Sequence, residues 1–179
     1  PSMTRGFWNN FDRYIETYWT RFPGKWYHGD WAFVDRQGYW FLEGRADDVI
    51  KVAGRRVGPA EIESVLNSHA LIAESAAIGL PDKVKGERIH CFIQLKPCAK
   101  KDIRLIESAK ALVVQDLGKT LEPDRIIIVD DLPRTRSGKI IRRLIRAVIL
   151  SDESAAIDTS MLENPDSLEK IKSGWAAQI

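Results

Sequence analysis

The chain has 179 residues, 44% of them hydrophobic and 29% charged, with a formal net charge of +2. This is the composition of one ordinary domain plus appendages, and the net charge selects no polyanionic partner by itself. No apolar run approaches a membrane span and the charged, aromatic start is not a signal peptide, so a cytoplasmic protein with no membrane partner is expected; Cys91 and Cys98 are too few for a disulfide framework or a metal site and are expected as reduced thiols.

Of the sixteen Phe, Trp and Tyr residues, fourteen lie between Phe7 and Phe41. Exposing such a set is costly and promotes association, so the segment demands a large apolar partner. With a start at Pro-Ser-Met, it reads as the remnant, residues 1–46, of a larger N-terminal body, and self-association is the expected behaviour when that body is missing. Within it, Trp31–Val34 and Tyr39–Glu43 flank the turn formers Asp35-Arg36-Gln37-Gly38, which predicts a hairpin.

From Gly44 to Glu63 the sequence crowds together glycines, cations and acids. Gly54 leaves room for a narrow ligand to pass along the backbone, and Arg45 and Arg56 offer forked donors to phosphate or ribose oxygens. A surface loop with compensating charges is the alternative. In Tyr27-His28-Gly29-Asp30 a carboxylate beside a glycine suits the paired hydroxyls of a ribose, which strengthens a nucleotide reading.

Pro59 at a first helical position, followed by Glu61 and Glu63, predicts a helix to about Ser68. Ser75–Leu80 and Arg88–Leu95 follow as strands, Asp102–Leu117 as a helix stopped by Gly118, Asp124–Val129 as a third strand and Ser137–Leu150 as a last helix. The expected fold is α+β, residues 47–150 forming a small three-stranded sheet covered by helices, with the hairpin at its entrance. Residues 151–179, acidic until Lys170, are expected as a tail, loosely ordered or laid across the basic helix.

The last helix is preceded by Pro133-Arg134-Thr135-Arg136-Ser137-Gly138-Lys139. Gly138 frees the backbone and Ser137 is placed to cap the helix, so Lys139 sits at a loop tip where it can swing into a site. Six cations and no acid lie between Arg134 and Arg146, which suits a nucleotide phosphate; a solvated basic helix is the alternative. A P-loop is excluded, because its glycine and its Ser/Thr would fall at Pro133 and Ile140. Nucleic-acid binding is disfavoured: Ile140, Ile141, Leu144, Ile145, Val148 and Ile149 form an apolar stripe, Arg142, Arg143 and Arg146 are expected to face outward, and no aromatic lies near.

The strings Y-x-G-D, G-R-x-D-D-x-I-K-V-x-G-x-R-x-G-P-x-E-I-E and P-x-T-x-S-G-K-I-x-R-R, in this order, resemble the C-terminal part of the adenylate-forming enzymes, specifically the acyl-CoA synthetases. The resemblance runs from about Met3 to the tail, where Asp158-Thr159-Ser160 and Leu168-Glu169-Lys170 look like the end of acetyl- and propionyl-CoA synthetases. It omits the phosphate loop and acyl pocket, which belong to the large N-terminal domain. It implies a ligase that joins a small carboxylic acid, acetate by this likeness, to CoA using ATP and Mg²⁺; a longer-chain or aryl acid, or a non-catalytic module that keeps the fold, are the alternatives.

By the same resemblance Asp30 would hold the ribose hydroxyls, Arg45 the ribose and phosphate region, and Arg56 the α-phosphate. Lys139 would stabilise charge developing during adenylation, Asp47 would be the hinge of a domain rotation, and Ala53 and Gly54 would line the CoA tunnel. A cation near Asn67, His69 and Ile72, held largely by backbone carbonyls, is also implied. Ala53 and Arg55 stand where bacterial acetyl-CoA synthetases carry Ser and His, and Val114 and Gln115 fall where a CoA-phosphate-binding arginine is often found. Lys119 and Arg125 are candidate replacements.

Overall fold

A computed structural model describes residues 3–97, 99–150 and 159–177. The chain divides into two units, Pro1–Leu42 and Glu43–Ile179. The thiol of Cys98 and the acids Asp152, Glu153 and Asp158 lie outside the described residues.

In the first unit the aromatic residues build a helix, α1 (Phe11–Tyr18), which was not among the expected elements. Asn10 caps it, its side-chain oxygen accepting the Arg13 N–H at 3.2 Å. Tyr14 is buried and its hydroxyl donates to the Thr4 carbonyl at 2.8 Å. Phe7 meets Tyr14 and Tyr18 edge-on at 5.9 and 5.8 Å, and Tyr18 stacks on Trp26 at 5.0 Å. Even so, Trp8, Trp40 and Leu42 stay 93%, 74% and 76% exposed, and Tyr39 and Phe41 beside them are exposed as well.

The expected hairpin is present as β1 (Asp30–Val34) and β2 (Trp40–Arg45). Its turn is organised by Asp35, whose carboxylate accepts the N–H groups of Gln37 and Tyr39 at 2.8 and 2.9 Å.

The second unit is built on a five-stranded sheet: β3 (Ile50–Val52), β4 (Arg55–Val57), β5 (Ile72–Asp82), β6 (Gly86–Leu95) and β7 (Arg125–Val129). The three expected strands are β5, β6 and β7; β3 and β4 are additions, too short for a residue pattern to announce. β6 is central, antiparallel to β5 along one edge and, on the other, parallel to β7 and touching β3 at Val52↔Gly86.

Because side chains alternate across a strand, the sheet has two apolar faces. On one, Ala77, Cys91, Ile93, Ile126 and Ile128 pack with Ile62 and Leu66 of α2 (Pro59–Asn67) and Leu105, Ala109 and Val113 of α3 (Ile103–Leu117). On the other, Ala76, Ile78, Phe92, Ile127 and Val129 pack with Leu144, Ile145 and Val148 of α4 (Arg142–Leu150) and Leu168 and Ile171 of α5 (Ser167–Ala176). Asp102 caps α3 and Gly118 ends it, as expected.

One expectation is narrowed and one changes. Of the two alternatives for the C-terminal segment, residues 159–177 follow the second: α5 packs against the basic helix α4, and Leu162, Leu168 and Ile171 are buried with it in the second core, since α4 alone covers only part of that face of the sheet. The helix expected from Ser137 is α4, which starts at Arg142, because Gly138 at φ +81° turns the chain back on itself and breaks any helical run; α5 follows it as a helix not among the expected elements.

His90, 6% exposed and edge-on to Trp175 at 5.2 Å, has its pKa pulled by burial from 6.5 to about 4. The unfolded chain therefore binds a proton between those values that the folded chain refuses, so stability falls as the pH drops from 6.5 towards 4 and this contribution is flat below. The full loss is about 3 kcal/mol. Urea midpoints between pH 7 and 5 should fall accordingly, and His90→Gln should flatten the slope; an unchanged slope in the variant would remove His90 as its source.

Candidate functional site

Lys139 closes a tight turn. The Thr135 N–H donates to the Lys139 carbonyl at 2.9 Å, the Gly138 N–H to the Thr135 carbonyl at 2.8 Å, and the Lys139 N–H to Thr135 Oγ1 at 3.1 Å. Ser137 bonds sideways to Thr135 Oγ1 at 2.9 Å instead of capping a helix. At its C-terminal end, the turn leads into α4, whose Leu144, Ile145 and Val148 are buried against the sheet. The side chain of Lys139 is exposed and its ammonium makes no ion pair among the described residues.

Beside the turn lies a cleft of about 210 Å³, lined by Arg45, Asp47, Asp48, Lys139, Arg143 and Met161 among others. Arg45 Nε reaches the Asp47 carboxylate at 3.0 Å. Asp48 lies 3.6 Å from Arg142, and burial pushes its carboxyl pKa up from 3.8 against the pull of that guanidinium. Arg142 in turn forks onto Glu63 of α2, with Nε at 2.7 Å and Nη2 at 2.5 Å. Glu63 Oε1 also accepts the Ala77 N–H of β5 at 2.8 Å. One buried carboxylate thus ties together α2, the edge strand β5 and the first turn of α4.

Arg142 is therefore turned inward, not outward as its place in the basic run predicts, because Glu63, 6% exposed, requires a counter-charge. Arg146 is paired with Glu87 at 3.0 Å, leaving Arg143 as the exposed cation of the three.

Of the sequence-predicted residues, the cleft unites Lys139, Arg45 and Asp47. Ala53 and Gly54 form the β3–β4 turn and Arg56 lies on β4, and none of the three lines it. Ala53 and Gly54 have φ of +47° and +81°, the primed turn that a two-residue hairpin needs, and the Ala53 N–H donates to the Lys85 carbonyl at 2.8 Å. No atom lies within 4 Å of where a Gly54 Cβ would stand. Asp30 belongs to the first unit, its carboxylate 2.5 Å from His28 Nδ1.

The Asn67, His69 and Ile72 side chains offer a cation little. Asn67 Oδ1 accepts from Ser75 at 2.8 Å, His69 Nε2 meets Ser108 Oγ at 3.0 Å, and His69 Nδ1 accepts the Leu71 N–H at 3.3 Å. The resemblance implies a site made largely of backbone carbonyls, and that of His69, which accepts the Ile72 N–H at 3.1 Å, keeps a second lone pair. Among the described residues no cluster of three His, Cys, Asp or Glu could hold a metal ion; the Mg²⁺ implied by the resemblance is of the kind held by substrate phosphates and water with one or two carboxylates.

Sequence reasoning missed Met161 and Asn164. The dipeptide Asn164-Pro165 was a turn signal, but nothing local shows that it lies against Arg134, whose N–H donates to Asn164 Oδ1 at 3.0 Å.

The family model for the AMP-binding enzyme C-terminal domain matches residues 61–139. The chain is 45% identical over 175 residues to acetyl-coenzyme A synthetase of Pyrobaculum aerophilum, covering 98% of this chain and 26% of that protein. It is 44% identical over 174 residues to 3-hydroxypropionyl-coenzyme A synthetase of Sulfurisphaera tokodaii, covering 96% and 26%. Acetoacetyl-CoA synthetase from Streptomyces lividans superposes with a TM-score of 0.86 at 28% identity, covering 100% of this chain and 27% of that one. The chain thus spans about a quarter of the length of the relatives it matches.

Proposed function

We propose that this chain, which carries an AMP-binding enzyme C-terminal domain and belongs to the adenylate-forming enzymes, is the C-terminal quarter of a cytoplasmic, AMP-forming acid-CoA ligase that activates a short-chain carboxylate, acetate first. The observation that carries this reading is Lys139 on a glycine turn beside a cleft that also holds Arg45 and Asp47. No helix among the described residues is long and apolar enough to cross a membrane.

The reaction has two steps. A carboxylate oxygen attacks the α-phosphorus of ATP, an acyl-adenylate forms and pyrophosphate leaves; the CoA sulfur then attacks the acyl carbon, loses its proton and expels AMP. In the first step Lys139 is aimed at the oxygens between which charge shifts, where a fixed cation in a water-poor site is most effective. Asp30 binds the ribose hydroxyls, Arg45 the ribose and phosphate region, and Arg56 the α-phosphate.

Asp47 is the hinge between residues 1–46, a part of the large N-terminal domain, and 47–150, the mobile domain, with residues 159–177 of the C-terminal segment built onto the latter. Rotation there withdraws Lys139 and brings the Ala53–Gly54 turn against the pantetheine arm. The large domain is the partner of the exposed aromatic segment, which self-associates in its absence. Acyl choice is made outside this chain, and the near-equal likeness to a 3-hydroxypropionyl-CoA synthetase makes 3-hydroxypropionate the second acid to test.

In the full-length enzyme Gly54→Leu tests the reading. Open space meets the new Cβ, so the fold survives with about 1–2 kcal/mol of left-handed strain. Thioester formation from supplied acetyl-adenylate should fall at least about tenfold, 1.4 kcal/mol in the barrier, while pyrophosphate exchange into ATP is retained. Equal loss of both half-reactions would remove Gly54 from the CoA path.

A further inference from the structure

The stem of the Lys139 turn is held on both flanks. Inside the turn it pairs with itself, Arg134 bridging Ile140 and the Ile141 N–H donating to the Pro133 carbonyl at 2.9 Å. Outside, the C-terminal segment lies against it through an isolated antiparallel bridge between Thr135 and Leu162 and a hydrogen bond from the Glu163 N–H to the Arg134 carbonyl at 3.0 Å.

Asn164 completes this flank with its side chain. Its Oδ1 accepts the Arg134 N–H at 3.0 Å, and its Nδ2 donates to the Leu132 carbonyl at 2.9 Å and to Asp131 Oδ2 at 2.7 Å. Both amide protons and the carbonyl oxygen are therefore used, and all on the stem.

Asn164 is itself anchored. Its carbonyl accepts the Ser167 N–H at 3.0 Å and the Ser167 hydroxyl at 2.6 Å at the start of α5, and that helix is nailed to the sheet by Leu168 and Ile171. The Arg134 side chain is separately tied to Glu74 at 2.6 Å, so the stem stays on the domain without Asn164. What the Asn164 amide sets is the register of the backbone that leads to Lys139.

We propose that Asn164 is a positioning residue for Lys139, so that the C-terminal segment is a working part of the adenylation half-reaction and not a covering alone. The inference rests on the role given to Lys139 above. Without the amide the Arg134 N–H and the Leu132 carbonyl lose their partner and the turn drifts, and a displacement of about 1 Å at a reacting group costs up to about a hundredfold in rate.

The test compares Asn164→Ala, Ile171→Val and Lys139→Ala in the full-length enzyme, reading pyrophosphate exchange, thioester formation from supplied acetyl-adenylate, and thermal unfolding. Asn164→Ala should lower kcat for exchange about 10- to 100-fold, with KM for ATP little changed and the second half-reaction retained. Ile171→Val, which loosens the same helix away from the stem, should leave both rates unchanged below its unfolding temperature. If Asn164→Ala does not fold, Asn164→Ser serves with the same two readouts, since its shorter hydroxyl cannot span Arg134, Leu132 and Asp131 together and brings no charge against the Asp131 carboxylate.

Wild-type exchange in the Asn164 variant, or a loss shared equally by both half-reactions, overturns the proposal while leaving the role of Lys139 intact. Wild-type exchange in Lys139→Ala overturns the role of Lys139 itself, and the positioning of its turn by Asn164 falls with it.

Discussion

Lys139→Ala in the full-length enzyme is expected to lower acetate-dependent exchange of pyrophosphate into ATP a few hundredfold, about 3–4 kcal/mol, while thioester formation from supplied acetyl-adenylate survives. The size is that expected for deleting a cation aimed at developing charge, the role proposed above for Lys139 in the closed full-length enzyme. The selectivity follows from geometry: Lys139 sits on one turn of the domain and Gly54 on another, and only the first lines the cleft with Arg45 and Asp47. Because the lysine side chain is exposed and no ion pair is broken among the described residues, thermal stability should change little. If the variant lost both half-reactions alike with its unfolding temperature unchanged, a single static site would replace the two-orientation scheme.

The largest effect on stability is expected from Arg142→Ala. It strands the Glu63 carboxylate, 6% exposed, with only the Ala77 N–H for company, at a cost of about 3 kcal/mol, which for a unit of this size lowers Tm by about 10 °C. Glu63→Gln should cost less, about 1 kcal/mol, since the amide oxygen still accepts from Ala77 and Arg142 can turn to Asp48. Thermal unfolding of the two single variants and the double variant measures the coupling. A double variant no better than the sum of the singles would show that the pair contributes nothing as a pair.

The elements that sequence revealed are those whose causes are local. Pro59 at a first helical position and the stop at Gly118 bound α2 and α3 as expected, and the alternation of Ile89, Cys91 and Ile93 shows β6. The adjacent acids Asp47 and Asp48 beside Arg45, and the lysine after Gly138, were legible as chemistry because residue type and spacing alone define them.

What stayed hidden depends on partners far along the chain. Glu63 reads as a helix-surface acid near the dipole's positive end, but it is in the second turn of α2 and its partner Arg142 lies 79 residues away. Ser137 has the right chemistry for a cap, yet the turn at Gly138 and the bridge to Leu162 override that propensity. In the C-terminal segment the count of acids outweighed a second signal, Leu168, Ile171 and Trp175 at helical spacing, which marks the face that packs on the sheet. Three-residue strands such as β3 and β4 carry no period at all; their trace is the Ala53-Gly54 turn.

The two-faced sheet also sets an order of events during synthesis. Among the described residues of the second unit, the side chains that pack on the face bearing Ala76, Ile78, Phe92 and Ile127 from outside the sheet come from Leu132 onward. Chains leave the ribosome N-terminal end first, so α2, β5, β6, α3 and β7 all emerge before that cover exists. Until residues beyond Val129 are made, the apolar side chains of that face lack the α4 and α5 side chains that bury them in the folded domain, so the chain's apolar surface is at its barest before synthesis is complete.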